Sequence, residues 1–318
     1  MKSTHSESDL GNSHQISTHG DAVKDVAFRV DNIDAIEERL IRKNVKILLP
    51  KTTLEDENGS VTVLKLQSDS CQFHLQMSRI IKGSDVTHTL IEDKNYHGLF
   101  LPGFQPVNNY SLCASLKPIP VVLLDHVVQN YPINSIEGVA EWSIDDKITT
   151  SEFSAMKAWL ITNEDQKVQM TLAEAVLGRK GRSQIEEFVS YNGGPGIQHI
   201  ALLVDDIVET VTEMRRRSVE FLHVPSSYYD MLEERLKSSK VELKEDMAKL
   251  RELCILMDFD DNGYLLQLFT KPVQDRPTLF IEIIQRRNFN GFGAGNFKAL
   301  FDAVEREQKL RGTLYVEN

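Results

Sequence analysis

Cysteine and long apolar runs are scarce in this sequence of 318 residues. The three cysteines, Cys71, Cys113 and Cys254, are odd in number and match no disulfide or metal-binding spacing, which favours a reducing compartment. No apolar run approaches the roughly 20 residues that a membrane-spanning helix needs. The polar first residues lack the apolar core of a secretory signal. We therefore expect a cytoplasmic protein without a membrane partner.

Positive charge is also low. Lysine and arginine number 36 against 47 aspartates and glutamates, which gives a formal net charge of −11. A nucleic-acid-binding protein needs a basic surface to neutralise phosphates, so this class is excluded. Hydrophobic residues make up 41% and charged residues 26%, as in an ordinary globular protein. The composition therefore predicts a folded protein with no nucleic-acid partner.

An internal repeat organises the chain after a polar start. Residues 1–20 are rich in Ser, His, Asn and Gly without periodicity, and we predict a disordered tail there. Residues 23–48 then recur at 197–222 without a gap, at an offset of 174 (197 − 23 = 174). Each copy predicts a strand, an Asp at the helix N-cap (Asp31 or Asp205), an amphipathic helix and a second strand.

Turn and strand signals complete the repeated unit. Asn-Gly pairs at 58–59 and 262–263 predict a hairpin in each copy. A strand that carries a glutamate, Glu92 or Glu282, follows each hairpin. The unit is therefore β-α-β-β-β, used at least twice, and the fold class is α+β.

The domain organisation follows from this unit. We predict an N-terminal module without a metal at 21–105 and a C-terminal domain of two modules at 106–318. Two charged amphipathic helices at 227–253 decorate the last module. The final helix is predicted to have Asn296 as its N-cap and to end at Gly312.

Three titratable residues, His126, His199 and Glu282, interrupt strands that are otherwise apolar. Taken singly, each could be a core polar residue with a hydrogen-bond partner. Taken together, two histidines and a carboxylate are the ligand set of non-haem Fe(II) sites. Zinc accepts the same donors, but a zinc peptidase would need an H-E-x-x-H run, which the sequence lacks. The first copy has Asp25 at the position of His199, so we expect one metal site, in the C-terminal half.

Four segments carry a family resemblance: LLDHVVQN, SQIEEFVSYNGGPGIQHIAL, NGYLLQLFTKPVQDRPTLFIEIIQR and GFGAGNFKALFDAVEREQKLRG. Together they closely resemble the 4-hydroxyphenylpyruvate dioxygenases, and the resemblance extends from about His19 to Gly312. That family has the vicinal-oxygen-chelate (glyoxalase-like) fold. The resemblance therefore implies repeated β-α-β-β-β modules that form an open barrel around a metal site, with the C-terminal domain as the catalytic one.

The resemblance also implies an activity and a set of site residues. The family converts 4-hydroxyphenylpyruvate, a 2-oxo acid, and O₂ to homogentisate and CO₂ in tyrosine and phenylalanine catabolism, and it is commonly dimeric. A single Fe(II) per chain would have the ligands His126, His199 and Glu282. Residues that orient the substrate by hydrogen bonds fall on Gln184, Gln267 and Asn296. Residues that line its pocket fall on Phe269, Phe280, Phe292 and Phe297.

Departures from the family pattern leave other hypotheses open. The family has a further module before the Asp25 segment, a shorter link in place of 71–86, and a full helix after the strand of His126, where this chain is shorter. Ala158 and Ala173 replace a Ser and an Asn of the family's pocket. These differences suggest a catalytically impaired or silent relative that retains the fold, with weak support for His126 and weak turnover. Another product, as in hydroxymandelate synthase, is the third hypothesis, and the dense match after residue 183 argues against it.

Overall fold

The computed structural model describes residues 14–68, 84–106, 116–136, 149–150, 155–163, 168–176, 181–291 and 293–315. The predicted insertion at 71–86 and the end of the shortened stretch after His126 fall largely outside these ranges. The chain divides into two compact units, one mainly of residues up to 116 and the other mainly of residues from 117 onward. The domain boundary at 105/106 stays a prediction.

The first unit contains one β-α-β-β-β module, the N-terminal module. Its elements are β1 (Asp25–Arg29), α1 (Ile33–Arg42), β2 (Ile47–Asp56), β3 (Gly59–Gln67) and β4 (Thr87–Glu92). The sheet order is β1-β4-β3-β2, with β1 parallel to β4 and the other pairs antiparallel. Ile33 and Leu40 of α1 belong to one core cluster with Leu64 and Leu66 of the sheet, so the apolar face of the helix is buried as its periodicity predicts.

The predicted disordered tail is wrong for its last residues. Residues 14–19 form a short helix, in which Gln15 and His19 are buried. Gln15 Oε1 accepts a hydrogen bond from Lys24 Nζ (3.2 Å), and His19 Nε2 lies 3.0 Å from a carboxylate oxygen of Asp85. Composition could not reveal these partners, since they lie further along the chain and meet the helix only in the folded protein.

The second unit contains two further modules in one eight-stranded sheet. The middle module supplies β5 (Val121–Tyr131), β6 (Thr149–Thr150), β7 (Ala155–Thr162) and β8 (Gln169–Ala175). The last module supplies β9 (Gly196–Val204), β10 (Leu256–Phe259), β11 (Tyr264–Phe269) and β12 (Phe280–Arg287). The order is β10-β11-β12-β9-β5-β8-β7-β6, with the central strands β9 and β5 antiparallel. Each half repeats the strand order of the N-terminal module, so the predicted fold of repeated modules in an open barrel is confirmed.

Most of the α-helices that the structure describes in the second unit lie in the last module. They are α2 (Gln184–Asn192), α3 (Ile207–Arg216), α4 (Ser226–Lys237), α5 (Met247–Leu253) and α6 (Phe297–Arg311). Val211, Tyr229 and Leu250 of α3, α4 and α5 share a core cluster with Ile283 of β12. Helix α6 ends at Gly312 in the left-handed conformation (φ 74°), as predicted. None of the described helices is long and apolar enough to cross a membrane.

The two repeated helices begin one residue later than predicted. The N-cap of α1 is Asn32 and not Asp31, and its side chain accepts a 3.0 Å hydrogen bond from a backbone N–H of the first turn. The N-cap of α3 is Asp206 and not Asp205, with a matching bond of 2.8 Å. The two caps keep the offset of the repeat (206 − 32 = 174). The extended residue directly before each helix has the geometry that capping needs.

Strand register shows which residues correspond between the first and last modules. Asp25 pairs with Thr87 across β1 and β4, and His199 pairs with Phe280 across β9 and β12. Because Asp25 and His199 are equivalent in the repeat, the closing strands β4 and β12 are related by an offset of 193 (280 − 87 = 193).

With that offset, Glu92 corresponds to Gln285 (92 + 193 = 285), and the counterpart of Glu282 is Thr89. The first backbone N–H of α1 donates to a carboxylate oxygen of Glu92 (2.6 Å), and that of α3 donates to Gln285 Oε1 (2.8 Å). Glu92 therefore anchors a helix. Its likeness to Glu282 in sequence does not extend to position in the sheet.

Candidate metal centre

Three neighbouring strands bring His126, His199 and Glu282 to one face of the sheet. His126 of β5 and Glu282 of β12 both pair with Ala201 of β9, so the two side chains flank one residue from opposite sides. His199 lies two residues before Ala201 on the same strand and therefore points to the same face. The fully buried Ala201 has too small a side chain to keep its neighbours apart. Sheet register thus explains why distant residues meet.

The donor atoms of these residues converge. His126 Nε2 and His199 Nε2 lie 3.3 and 3.4 Å from the same oxygen, Glu282 Oε2. One ligand atom from each residue lies within 4.8 Å of the others, and all three side chains are buried. In the part of the chain that the structure describes, no other group of three His, Cys, Asp or Glu side chains meets in this way.

The residue before each histidine holds its second ring nitrogen. Asp125 Oδ1 lies 2.8 Å from His126 Nδ1, and Gln198 Oε1 lies 3.1 Å from His199 Nδ1. Both oxygens accept hydrogen bonds, so each Nδ1 carries a proton and each Nε2 faces Glu282. Partners of this kind are typical of metal-ligating histidines, because they fix the tautomer and the orientation of the ring.

The electrostatics of the site favour a cation. Burial acts to lower the pKa of His126, but the carboxylates of Glu282 and Asp125 outweigh it and raise that pKa to about 9. Burial lowers the pKa of His199 against the raising effect of Glu282. Burial acts to raise the pKa of Glu282, yet the two histidines bring it down to about 2. Glu282 is therefore ionised at neutral pH.

This donor set fits a metal ion. With both Nδ1 atoms donating outward, two imidazole nitrogens and a carboxylate oxygen face one another in a buried space. Such atoms need positive charge between them. A proton on His126 satisfies one contact, whereas a divalent ion bound to His126, His199 and Glu282 satisfies all three. A facial set of three ligands also leaves coordination positions open for substrate.

Arg286 connects the His126 side of the site to the loop after β12. Its guanidinium makes two 2.8 Å hydrogen bonds to the Asp125 carboxylate. Burial acts to raise the pKa of Asp125, but Arg286 and His126 hold it well below its usual range. Arg286 Nη1 also donates to the carbonyls of Phe289 (3.2 Å) and Gly291 (2.7 Å). Arg286 therefore contacts both Asp125, the partner of the candidate ligand His126, and the loop that leads to α6.

Aromatic rings form a wall beside His199. The Phe280 ring stacks on the imidazole at a centroid distance of 4.8 Å and an angle of 22°. The Phe269 ring lies 6.2 Å from His199 and 6.0 Å from Phe280, edge-on to both. These two predicted pocket residues thus adjoin a candidate ligand. Phe292 and the side chain of Phe297 lie outside the described residues.

The three predicted substrate-orienting residues lie on different elements. Gln267 of β11 is buried two residues from Phe269, which pairs with Glu282, so Gln267 faces the ligand side of the sheet. Asn296 is fully buried before α6. Asn296 is the N-cap of α6, as predicted, but its side chain makes no capping hydrogen bond. Gln184 is the buried first residue of α2, and its role stays a prediction.

The two alanines that depart from the family pattern are neighbours. Ala158 and Ala173 pair across β7 and β8, and Asn130 of β5 pairs with Ala173 from the other side. The Asn130 amide is fully buried, and neither of its polar atoms has a hydrogen-bond partner among the described residues. The middle module therefore places a buried amide beside Ala173, with Ala158 on the next strand.

Sequence reasoning missed Asp125, Gln198 and Arg286. Asp125 and Gln198 could have been identified from the sequence, since each directly precedes a strand histidine and can accept a hydrogen bond from it. Arg286 carried no signal, because a basic residue near a strand end is usually exposed.

Comparison with known proteins identifies the family. The Glyoxalase/Bleomycin resistance protein/Dioxygenase superfamily model matches residues 137–268. The chain is 46% identical over 309 residues to the 4-hydroxyphenylpyruvate dioxygenase of Yarrowia lipolytica, with 93% of this chain and 75% of that protein covered. The chain belongs to the 4-hydroxyphenylpyruvate dioxygenase family. The predicted family is confirmed, and with it the dioxygenase class of enzyme.

Other relatives place the chain within this dioxygenase family. It is 55% identical over 312 residues to a putative protein of Caenorhabditis elegans, covering 95% of this chain and 82% of that protein. Identity to the 4-hydroxyphenylpyruvate dioxygenase of the same species is 43% over 327 residues, covering 98% and 78%. Among solved structures, a triple mutant of 4-hydroxymandelate synthase from Streptomyces coelicolor matches with a TM-score of 0.72 at 30% identity, covering 93% and 80%.

Proposed function

We propose that the chain is an Fe(II)-dependent 4-hydroxyphenylpyruvate dioxygenase, which converts 4-hydroxyphenylpyruvate and O₂ to homogentisate and CO₂. The observation that carries the proposal is the convergence of His126, His199 and Glu282 beside an aromatic wall. An aromatic 2-oxo acid suits this arrangement, because its ring fits the wall and its oxygens suit a cation. Relatives named for this activity are 42–46% identical to the chain, which supports the same substrate, and no comparison supports a silent relative.

Fe(II) is the ion that the proposal assigns to His126, His199 and Glu282. When bound, Fe(II) supplies the one-electron chemistry that lets dioxygen react with an organic substrate, which redox-inert zinc does not supply. Asp125 and Gln198 keep the two imidazole Nε2 atoms directed at the ion.

The remaining site residues bind and orient the substrate. Phe269 and Phe280 hold the aromatic ring and keep water from the ligand face. Gln267 and Asn296 orient the substrate by hydrogen bonds, because their amides are buried and each has a polar atom without a partner among the described residues. Gln184 is proposed to share this role. Phe292 and Phe297 are proposed to complete the pocket.

Oxygen consumption with a defined product tests the proposal. Protein loaded with Fe(II) is mixed with 4-hydroxyphenylpyruvate, oxygen uptake is followed by an electrode, and the product is identified by mass spectrometry. We expect homogentisate and CO₂, with uptake that requires both metal and substrate. Hydroxymandelate as the product would contradict the proposed reaction, and no uptake by protein with bound iron would contradict the dioxygenase activity.

A matched histidine variant provides the control. His88 of β4 is a buried histidine of the N-terminal module, and its Nδ1 lies 3.3 Å from the carbonyl of Val26. His88→Gln should leave iron content and turnover unchanged. His126→Gln should remove both.

We further propose a cytoplasmic homodimer. The scattered cysteines support a reducing compartment, which cell fractionation checks. At the start of β5, four consecutive apolar side chains from Val121 to Leu124 are each 42–50% exposed. Apolar surface of this kind favours association with a second copy. Light scattering at micromolar concentration should give twice the mass of one chain, and a monomer would contradict the dimer.

A further inference from the structure

Helix α4 carries two adjacent buried tyrosines, Tyr228 and Tyr229, whose hydroxyls make different contacts. The Tyr229 hydroxyl donates to the carbonyl of Ile255 (3.0 Å), and the Tyr228 hydroxyl lies 3.0 Å from the carbonyl of Met257. Both therefore attach the inserted helix to the segment that forms β10. The Tyr228 hydroxyl additionally lies 2.7 Å from Asn296 Oδ1, at the start of α6.

The hydrogen bonds at Tyr228 determine which way the Asn296 amide faces. The Tyr228 hydroxyl accepts from the backbone N–H of Met257 (2.9 Å), and its own proton is donated to Asn296 Oδ1, the nearer of its two acceptors. Burial raises the pKa of Tyr228 well above its usual value, so the hydroxyl stays protonated at neutral pH. Because Asn296 Oδ1 accepts from the tyrosine, Asn296 Nδ2 points away from Tyr228.

Asn296 Nδ2 is a buried donor with no partner among the described residues. Asn296 is fully buried, and its Nδ2 makes no hydrogen bond to any residue described here. The same turn passes over a second unpartnered atom, Gln267 Oε1, since a Cβ built on Gly293 would collide with that oxygen. Buried polar atoms are almost always paired, so a donor and an acceptor left open at one turn indicate a ligand.

A further contact holds this turn in place. The Gly295 N–H donates to Asp258 Oδ2 (2.9 Å), and the Asn296 N–H donates to the carbonyl of Gly293 (2.8 Å). A Cβ on Gly295 would meet the Asp258 carboxylate, so the close approach requires glycine. The backbone is thus fixed independently of Tyr228, whose contact is with the side-chain amide.

We propose that Tyr228 is a positioning residue: it holds Asn296 Oδ1 so that Asn296 Nδ2 donates to the bound 2-oxo acid. The inference rests on the proposed function for the identity of that acid. It assigns a role to the inserted helix α4, which delivers the tyrosine to the ligand side of the last module.

Paired tyrosine variants test this role. Tyr228→Phe and Tyr229→Phe each remove a buried hydroxyl that is hydrogen-bonded to the backbone of residues 255–257. The dissociation constant of 4-hydroxyphenylpyruvate is measured by calorimetry on Fe(II)-loaded protein without oxygen, together with KM and kcat. Tyr228→Phe should weaken binding and raise KM about tenfold, the effect of one hydrogen bond to a ligand. Tyr229→Phe should change neither, with iron content equal in both. Equal binding by the wild type and Tyr228→Phe would overturn the inference.

A double-mutant cycle shows whether Tyr228 acts through Asn296. In the Asn296→Ala background, Tyr228→Phe should produce no further loss of substrate binding, since the group that it orients is gone. Additive losses would overturn the inference, because Tyr228 would then act by another path.

Asn296→Asp gives a test that does not depend on how well Tyr228→Phe folds. The aspartate keeps an acceptor for the Tyr228 hydroxyl and removes the donor, so substrate binding should fall at least as far as in Asn296→Ala. Undiminished binding would contradict the inference. If the wild-type protein binds no 4-hydroxyphenylpyruvate, the proposed function itself fails, a result that the variants cannot imitate.

Discussion

The N-terminal and last modules have the same fold, but they differ in which groups compensate the negative charge of a carboxylate on the sheet. In the last module, His199 and Glu282 share a buried space that needs a cation. In the N-terminal module, Asp25 and Thr89 hold the equivalent positions, and Asp25 Oδ2 accepts from Thr89 Oγ1 (2.9 Å) and pairs with Lys65 Nζ (3.2 Å). The negative charge of Asp25 is thus compensated by Lys65, a residue of the same module. The same module fold therefore holds a candidate metal site in the copy where no Lys or Arg side chain among the described residues neutralises the buried carboxylate.

The three modules resemble one another more at the end of their closing strand. Glu92 and Gln285 each accept the first N–H of a helix. In the middle module, Glu174 of β8 is the counterpart, and its carboxylate accepts from the backbone N–H groups of Ser135 and Ile136, both at 3.0 Å. This position serves the fold in every copy, whereas the positions nearer the middle of the strand decide the chemistry.

Of the substitutions that test the comparison of the two modules, the removal of Glu282 should have the largest effect. Glu282→Ala takes away the charged ligand and leaves two neutral imidazoles in a buried space, so Fe(II) binding and turnover should be lost together. Metal content by elemental analysis and oxygen uptake measure the two effects. The counterpart change in the N-terminal module, Thr89→Ala, should leave both unaltered. Full iron stoichiometry in Glu282→Ala would show that the assigned ligand set is wrong.

Truncating Glu174 tests whether the middle module relies on the shared acceptor. Glu174 is 1% exposed, and Glu174→Ala leaves two backbone N–H groups without their acceptor. Such groups cost about 1–3 kcal/mol each when buried, so the free energy of unfolding should fall by about 2–6 kcal/mol. Urea denaturation of metal-free protein measures the loss. Glu174→Gln retains an acceptor oxygen and should lose less; equal stability of Glu174→Ala and the wild type would show that the anchor is dispensable.

A substitution at the equivalent position of the last module, Gln285, should lower stability less, because the neutral Gln285 amide accepts only one backbone N–H. Gln285→Leu removes the acceptor of the Ile207 N–H and the donor to Glu245 Oε1 (2.6 Å). We expect a loss of about 1–3 kcal/mol in the free energy of unfolding, with iron binding retained. Glu92→Leu is the matched change in the N-terminal module and should also destabilise. Loss of iron from Gln285→Leu without loss of stability would contradict a purely scaffolding role.

The repeat explains how much of this fold the sequence could predict. Apolar periodicity and two Asn-Gly turns were enough for the module, because strands, helix and hairpin are local patterns. The same patterns placed the helix N-caps one residue too early, at Asp31 and Asp205, whereas the N-caps are Asn32 and Asp206. The helix at 14–19 was not predicted, since nothing local to it reveals its contacts with Lys24 and Asp85, which lie further along the chain.

The candidate metal ligands could be identified from the sequence, whereas the residues that support them could not. His126, His199 and Glu282 stand out because a charged or polar side chain in an apolar strand needs a reason. Tyr228 and Arg286 do not, because a tyrosine in an amphipathic helix and an arginine near a strand end fit the ordinary pattern. Only the folded chain shows what their polar atoms reach.

The smallest expected change comes from making the N-terminal module resemble the last one. Asp25→His introduces a histidine at the position equivalent to His199. Thr89 still stands where a carboxylate ligand would be needed, and Lys65 lies next to the new histidine. A cationic Lys65 ammonium also repels a metal ion. Iron content should therefore stay at that of the wild type, while stability falls because Thr89 and Lys65 lose their acceptor. A second iron per chain in Asp25→His would show that the backbone, and not the facing side chains, sets where this fold binds metal.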